Sequence, residues 1–476
     1  MRASRRLPLI VACALFIENM DSTVLSTALP AIARDFSVDP ISLKLVLTTY
    51  LLSLAVFIPI SGWVADRFGA RTTFMSAIAV FLLGSVGCAV SSSLEWMVFA
   101  RFVQGMGGAM MVPVGRLVLL RTIDKSELVQ ALSWLTIPAL VGPVAGPPLG
   151  GFITTYFDWR WIFLINLPIG ALGIALAWRY IPALKDGVRP LDWSGFLLSG
   201  VGLALVVSGF STLGRLQVPV WASIVGLLLG ITALIAYATH ARRAEHPLLD
   251  LRLFRIPTFS AGVLGGSLFR IGVGAVPFLL PLMLQLGFGL NPLQSGGLTF
   301  VSAIGAMFMK TIAAWIIRMW GFRRVLVLNA LLSSLSLAII GWFRPSTPHL
   351  VVMLVLLVSG CVRSLQFTSL NAVSYADIDK AMVSQASSLA AMMQQLSVSM
   401  GVAVAGFALE LCGWVRHVPT TDVHNFYYAF PLVALVSALS AVMMWRLPAD
   451  AGADMAGRAE IGREVAEPKV EQRPAM

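Results

Sequence analysis

Long apolar runs separated by short polar segments are repeated along the whole chain. A helix that crosses a bilayer needs about 20 mostly apolar residues, and runs of this length recur about fourteen times. We expect spanning helices near residues 8–30, 43–64, 73–92, 96–119, 131–154, 161–181, 193–213, 219–240, 258–286, 294–317, 324–343, 349–371, 386–412 and 425–446. The run 258–290 contains Pro277 and Pro281, so it is either one kinked helix or a helix followed by a re-entrant piece. The pattern predicts an all-α membrane protein.

The composition agrees with a chain that uses the bilayer as its solvent. Hydrophobic residues make up 58% of the chain and charged residues only 12%, whereas a soluble domain carries roughly 25% charged residues. The net charge of +11 does not indicate nucleic-acid binding, because the Lys and Arg residues lie in short loops between apolar runs. The four cysteines lie inside apolar runs, where disulfides are not expected.

The distribution of positive charge predicts the orientation. If the N-terminus is cytoplasmic, the inside segments carry most of the Lys and Arg residues, which favours an even number of spans and two cytoplasmic termini. The first residues resemble a signal peptide, but the apolar stretch carries Glu18 and Asp21 and continues to Pro30, so we interpret it as a retained first span. The tail after Leu447 is polar, and we expect it to be disordered.

Two short loops indicate an internal repeat. Residues 66–71 follow the second predicted span, residues 318–323 follow the tenth, and both contain a basic residue followed by aromatic-Gly-x-Arg. Duplicated halves with a site between them near the midplane are a common transporter architecture. Six spans remain on each side if the seventh and eighth are an inserted pair. The predicted units are an N-terminal half at 1–190, two linker helices at 191–245, a C-terminal half at 246–447 and a cytoplasmic tail at 448–476.

Five segments resemble family signatures. They are Gly62–Arg71, Arg101–Gly108, Gly142–Gly151, Asp21–Pro30 and Trp159–Gly170. The first two resemble motifs of the major facilitator superfamily, and Gly142–Gly151 resembles its fifth-span motif associated with antiporters. The last two resemble motifs of its drug:proton antiporters with fourteen spans. Gly108–Arg116 and Leu251–Arg255 most resemble the multidrug resistance protein D branch. The resemblance implies a major facilitator fold, with two six-helix halves plus two extra central helices.

Two acids lie within the first span. An ionisable group near the centre of a spanning helix costs about 2.5–3.5 kcal/mol, so it is a functional candidate. Glu18 and Asp21 share a helix face, and two neighbouring carboxylates in a poorly hydrated cleft favour proton binding by one of them. The alternative is a static ion pair between Asp21 and Arg101. The resemblance supports Asp21 and Arg101 as a coupled pair, with Gln104 on the same helix face as Arg101.

The loop after the second span is a candidate for conformational change. Its acid, Asp66, lies among the basic residues Arg67 and Arg71 and near Gly62 and Gly69. Positive-inside topology with solvated charge explains the arginines but not the acid. The resemblance implies a charge clamp that closes the cytoplasmic side and breaks as the halves move.

The fifth span contains two glycine–proline pairs, Gly142–Pro143 and Gly146–Pro147. Proline removes a backbone hydrogen bond and kinks a helix, and glycine lets two backbones approach closely. We expect this helix to bend and to pack tightly against a partner from the other half. The alternative is a merely irregular helix.

Three cations lie near the middle of spans in the second half: Arg270, Lys310 and Arg363. The acid within a span there, Glu410, lies near an outer end. Unpaired charges at this depth are tolerated when they face a wet cavity, where a carboxylate-bearing substrate would complement them. Alternatively, Lys310 and Arg363 reach the cytoplasmic surface, or the cations pair with Asp21 and Glu18. Gln104 and Asn19 are also assigned to the substrate site.

The sequence favours secondary active efflux over enzymatic chemistry. It has no Walker-type phosphate loop, and its five histidines lie near span ends without forming a metal or nucleophile set, so we expect no cofactor. The predicted protein is a monomeric inner-membrane exporter driven by protons. Its substrate is either an amphipathic drug or an anionic metabolite or metal chelate such as a polycarboxylate. The alternative is a proton-coupled importer of a small organic anion.

Overall fold

The computed structural model describes residues 3–123, 125–183, 190–213, 218–379, 382–448, 450–452 and 455, with side chains from residue 7 onward except for 125–140. Every regular element within these residues is a helix. The predicted tail at 448–476 lies almost entirely outside this part of the chain.

Thirteen helical segments in the described part of the chain are long and apolar enough to cross a membrane. They are α1 (Leu7–Thr27), α2 (Pro40–Phe68), α3 (Ala70–Ala89), α4 (Leu94–Thr122), α6 (Trp161–Tyr180), α7 (Trp193–Thr212), α8 (Val220–Arg243), α9 (Pro257–Gly287), α10 (Pro292–Trp320), α11 (Phe322–Gly341), α12 (His349–Val373), α13 (Val383–Arg416) and α14 (Val423–Trp445). A further long helix, α5 (Lys125–Tyr156), covers the predicted span 131–154. The all-α membrane fold is confirmed.

The long run with two prolines is one helix. The segment α9 continues from Pro257 through Pro277 and Pro281 to Gly287, with π-helical turns at Ala261–Gly265 and Met283–Gly287. Such turns absorb an extra residue without ending a helix. Of the two alternatives from the sequence, the continuous helix is therefore correct and the re-entrant piece is absent.

The two halves, α1–α6 and α9–α14, use the same packing scheme. In the first half α1 packs against α5 and α6, and α3 against α4. In the second half α9 packs against α13 and α14, and α11 against α12. The matching loops also share a backbone turn, because Gly69 has φ 90° and Gly321 has φ 78°, a region that side chains disfavour. The sequence repeat thus corresponds to a repeat of structure.

The halves meet along two helix pairs, α2 with α13 and α5 with α10. In the second pair the backbones touch: a Cβ on Gly151 would overlap the Pro292 carbonyl, and one on Gly296 would overlap the Pro147 carbonyl. Helices α7 and α8 pack tightly on each other, and α7 lies against α2 and α13. They therefore lie at a junction between the halves.

The apolar core is shared by the halves at one end of the bundle. The cluster at the end that holds Lys44, here called the Lys44 end, contains buried residues from both halves. At the opposite end, the Asp66 end, one cluster belongs to the first half and another to the second. A fourth cluster joins α2, α7, α8, α9 and α13. The halves are therefore most completely joined at the Lys44 end.

Gly296→Ala should weaken the α5–α10 contact. Its methyl group would overlap the backbone carbonyl of Pro147, which cannot rotate away, so we expect a loss of about 1–3 kcal/mol, typical of overpacking. Gly297→Ala is the matched control, since a Cβ there meets no atom within 4 Å. Thermal unfolding of both variants in detergent checks this. Equal unfolding midpoints would contradict the predicted close contact.

Candidate functional site

A buried hydrogen-bond network surrounds the acid of α1. Asp21 is 1% exposed, and Arg101 on α4 is completely buried. Arg101 Nη1 donates to Asp21 Oδ2, while Gln104 Nε2 and Asn166 Nδ2 donate to Asp21 Oδ1 at 2.9 and 3.1 Å. The predicted partners Asp21, Arg101 and Gln104 are therefore brought together, and α6 contributes Asn166.

Further contacts fix the orientation of these amides. Gln104 Nε2 and Asn166 Nδ2 also donate to Ser85 Oγ on α3, at 2.8 and 3.3 Å, and Gln104 Oε1 accepts from Arg101 Nη1 at 2.7 Å. The helices come this close because a Cβ on Gly84 would lie 2.5 Å from the Gln104 backbone nitrogen. The network joins α1, α3, α4 and α6 through polar side chains that are buried from solvent.

An aromatic ring also packs against the Arg101 guanidinium. Its Cζ lies 4.1 Å from the ring centroid of Tyr50 on α2, and its Nε donates to the Val46 carbonyl at 3.4 Å. A ring face stabilises a desolvated cation. Tyr50, Ser85 and Asn166 are absent from the residues predicted from the sequence. Asn166 falls within the Trp159–Gly170 signature, which is the one signal that could have indicated it.

The two neighbours of Asp21 on α1 lie outside this network. Glu18 Oε2 is buried and has no hydrogen-bond partner among the described residues. Asn19 Nδ2 donates to the Leu15 carbonyl of its own helix at 2.8 Å, and its Cβ faces Gly142 on α5. Glu18 forms no ion pair in this conformation within the described part of the chain.

The loop acid Asp66 has a partner that the sequence did not indicate. Its Oδ1 accepts from Arg121 Nη2, at the end of α4, at 2.8 Å. Arg67 is exposed and Arg71 is half-buried, while Gly69 forms the turn between α2 and α3. Gly62 lies in open space, since a Cβ there would meet nothing within 4 Å.

The glycines of α5 contact α1 more than they contact the other half. Cβ atoms on Gly142 and Gly146 would meet Asn19 and Thr23 of α1. The predicted packing against the other half is found further along α5. Gly151 packs against the Pro292 carbonyl of α10, and the Pro147 carbonyl packs against Gly296 of α10. Pro143 is half-buried. The glycine–proline pairs thus place α5 between α1 of its own half and α10 of the other.

The three deep cations differ in their surroundings. Arg270 is 3% exposed, its Nε and Nη1 have no hydrogen-bond partner in the described residues, and its Cζ lies 5.7 Å from the Phe367 ring. Arg363 is half-buried and its Nη2 lies 3.5 Å from Ser302 Oγ. Lys310 is exposed. It lies on nearly the opposite face of α10 from the exposed Phe308, since two residues turn a helix by about 200°.

None of these cations pairs with an acid in the described part of the chain. The alternative of ion pairs with Asp21 and Glu18 is therefore not observed in this conformation, because Asp21 binds Arg101. The span acid of the second half, Glu410, binds Lys44 across the halves, with both carboxylate oxygens 2.9 Å from Lys44 Nζ. Free N–H donors on a buried guanidinium can form charge-assisted hydrogen bonds with a carboxylate.

More polar contacts join the halves at the Lys44 end. Thr420 Oγ1 donates to Asp39 Oδ2 at 3.0 Å, and Gln285 Nε2 donates to the Thr27 carbonyl at 2.9 Å. Together with the shared apolar cluster and the Lys44–Glu410 pair, they seal this end of the bundle.

The sequence matches a family model described as Major Facilitator Superfamily, over residues 11–402 and 262–468. A relative from Salmonella paratyphi A, named "Putative multidrug resistance protein MdtD", is 38% identical over 456 residues, covering 94% of this chain and 95% of its own length. The protein of the same name from Salmonella typhimurium has the same identity and coverage.

Solved structures share the fold at low identity. A D-xylose-proton symporter has a TM-score of 0.67 with 16% identity, and the match covers 94% of this chain and 98% of that one. The human organic anion transporter MFSD10 has a TM-score of 0.61 with 15% identity, over 93% of this chain and all of that one. At such identities the likeness extends to the fold alone.

Proposed function

The chain belongs to the major facilitator superfamily, and from this premise we propose that it exports small molecules in exchange for protons. It is a multi-pass membrane transporter and not an enzyme. The proposal places it in the inner membrane as a monomer, with both termini in the cytoplasm. Its substrate crosses by alternating access between the two halves.

The contacts between the halves support alternating access. The Lys44 end is sealed by a shared apolar cluster and by the Lys44–Glu410 pair. At the Asp66 end each half has its own apolar cluster. There the halves contact each other through a further cluster that includes α2, α13 and the α7–α8 pair. The predicted orientation puts the Asp66 end in the cytoplasm, so this conformation corresponds to the loading state of an exporter.

The acid pair on α1 supports proton coupling. Asp21 is buried, Glu18 on the same helix face is half-buried with its Oε2 atom buried, and both lie near the buried Arg101. Each proton that moves inward through 100 mV supplies about 2.3 kcal/mol, before any pH gradient is added. The ion pair between Asp66 and Arg121 joins α2 and α4 of the first half, so in this conformation it does not close the cytoplasmic side across the halves.

The surroundings of Arg270 are the main argument for the proposed substrate class. Its buried guanidinium has free donors and no carboxylate partner in the described part of the chain, which favours an anion over a cationic drug. Arg363 and Lys310 add positive charge on α12 and α10. Of the two residues predicted to bind substrate from the first half, Gln104 is buried in the Asp21 network and the Asn19 amide bonds its own helix in this conformation. The names of the relatives support amphipathic drugs, so the charge layout and the names make different predictions.

Proton release from the purified protein in detergent, with citrate or ethidium added, separates the two substrate classes. We expect citrate to displace protons and ethidium to have no effect. In Arg270→Gln and Arg363→Gln the citrate affinity should fall by about 10–100-fold, because each loses a charge-assisted hydrogen bond worth roughly 1.5–3 kcal/mol. Arg179→Gln, which removes an exposed arginine, is the control.

The opposite results have defined meanings. Proton release by ethidium that is unaffected by Arg270→Gln would show a drug exporter in which these cations are structural. Transport direction is tested in inside-out vesicles with an acidified interior, where an exporter accumulates its substrate. Absence of accumulation under that gradient would contradict export and indicate the importer instead.

A further inference from the structure

The two acids of α1 have different surroundings although less than one turn separates them. Both oxygens of Asp21 accept hydrogen bonds, from Arg101, Gln104 and Asn166. Donors of this kind stabilise a carboxylate, and a proton on Asp21 would have to displace one of them or break the ion pair. Both oxygens of Asp21 are therefore already engaged by donors in this conformation.

Glu18 has the opposite surroundings. Its Oε2 is buried without a hydrogen-bond donor among the described residues. An ionised oxygen in such a place is costly, and a proton on it removes the charge. Of the two acids, Glu18 can accept a proton without losing a hydrogen bond through that oxygen.

A second buried group without a partner lies close to Glu18. Tyr50 on α2 is 1% exposed, and its hydroxyl has no hydrogen-bond partner in the described residues. The point that a Cβ on Gly108 would occupy lies 3.3 Å from Tyr50 Oη and 3.8 Å from Glu18 Cγ. Because residue 108 is glycine, it places no side chain between the two groups, and a hydrogen bond can join them directly or through one water.

Tyr50 also contacts the ion pair. The Arg101 guanidinium lies over its ring, with Cζ 4.1 Å from the centroid. One side chain therefore touches the cation bound to Asp21 with its ring and approaches Glu18 with its hydroxyl. A phenolic hydroxyl can donate to a carboxylate and can accept from a carboxylic acid, so it can serve both states of Glu18.

We propose that Glu18 is the residue that exchanges the proton, that the Tyr50 hydroxyl is its positioning residue, and that Asp21 stays ionised as the partner of Arg101. The inference rests on the proton coupling proposed above. In each cycle one proton binds to the Glu18 carboxylate and later leaves it, and Tyr50 keeps its own proton. The charged and titratable groups facing this pair are Asp21 on α1 and Arg101 and Arg116 on α4.

Infrared difference spectra of the purified full-length protein test the first part. As the pH is stepped from about 6.5 to about 9, above the range in which ordinary carboxyls titrate, the C=O band of a protonated carboxyl should titrate in the wild type and be absent in Glu18→Gln. A titrating band that survives in Glu18→Gln would overturn the assignment. Glutamine keeps the size of the side chain, so the variant is a conservative one.

Two variants test the role of Tyr50. Tyr50→Phe keeps the ring over Arg101 and removes a donor to the carboxylate, so the midpoint of the band should rise by up to about one pH unit. Gly108→Ala should shift it in the same direction, because its methyl group would lie between the two groups and its nearest neighbour is the mobile end of Leu54 at 3.1 Å. An unchanged midpoint in both variants would overturn the positioning role.

The same experiments separate this inference from the proposed function. If neither citrate nor ethidium releases protons and no carboxyl titrates in the wild type, proton coupling itself is wrong. If a ligand releases protons but the band of Glu18→Gln still titrates, coupling stands and the assignment to Glu18 is wrong.

Discussion

Asp21→Ala should abolish proton-driven transport and strongly destabilise the protein, whereas Glu18→Ala should abolish transport with little loss of stability. The difference follows from the partners of the two acids. Removal of Asp21 leaves the completely buried Arg101 without its counter-charge, and breaking a buried pair costs about 3–5 kcal/mol. Glu18 has no hydrogen bond at Oε2, so its removal leaves no buried ion behind. Thermal unfolding in detergent measures the first effect, and vesicle transport the second.

A double variant separates charge from shape in this experiment. Asp21→Ala with Arg101→Met removes both members of the pair, and replacing a buried pair by apolar side chains is often nearly neutral. We therefore expect the double variant to recover most of the stability lost by Asp21→Ala, while transport stays absent. If Asp21→Ala unfolds at the wild-type temperature, the ion pair does not hold the first half together as described.

The helices could be predicted closely from the sequence, because the bilayer imposes a length and a hydropathy that each span must meet alone. The predicted span 258–286 corresponds to Pro257–Gly287, and 425–446 to Val423–Trp445. The glycines Gly69 and Gly321 also indicated the repeat. Each forms a turn with positive φ between two long helices, a conformation that favours glycine and therefore shows in the sequence. The boundaries between the predicted units stay predictions.

The site could be predicted only where charge made residues conspicuous. Asp21 and Arg101 stood out because an ionisable group in a span is rare. Ser85, Asn166 and Tyr50 did not stand out, because uncharged polar residues are common in spans and only the folded structure shows which ones meet Asp21. Arg121 did not stand out either, because it is one of many arginines at helix ends, although it forms the ion pair with Asp66.

Lys44 shows the same limit for pairs that are distant in sequence. In the sequence it lies at the start of the predicted span 43–64 with no acid nearby in that span, and the structure buries it completely against Glu410 of α13. A lysine at this depth is stable only with its counter-charge, which lies in the other half of the chain. No local pattern around Lys44 could have indicated that partner, and this pair leads to the second large expected effect.

Loss of the Lys44–Glu410 pair should open the Lys44 end. Lys44→Met leaves the mostly buried Glu410 without its counter-charge, and Glu410→Gln leaves the completely buried Lys44 without its own. The remaining charge is fully solvated only when α2 and α13 separate. Since every 1.4 kcal/mol changes a population ratio tenfold, a coupling of about 1–3 kcal/mol should raise the share of the open form by roughly 5–150-fold. Spin labels at Arg34 and Pro419, in a background without native cysteines, report the distance between the halves.

The control is an ion pair at the same end that does not cross the halves. Arg160 binds Asp35 at 2.9 Å, and both residues belong to the first half, so Arg160→Gln should leave the distance distribution unchanged. Lys44→Met combined with Glu410→Met should return the distribution towards that of the wild type, because neither side chain then needs water. If the single variants keep the short distance while transport is lost, the pair does not hold the Lys44 end closed, and its role in transport must be exerted without separating the helices.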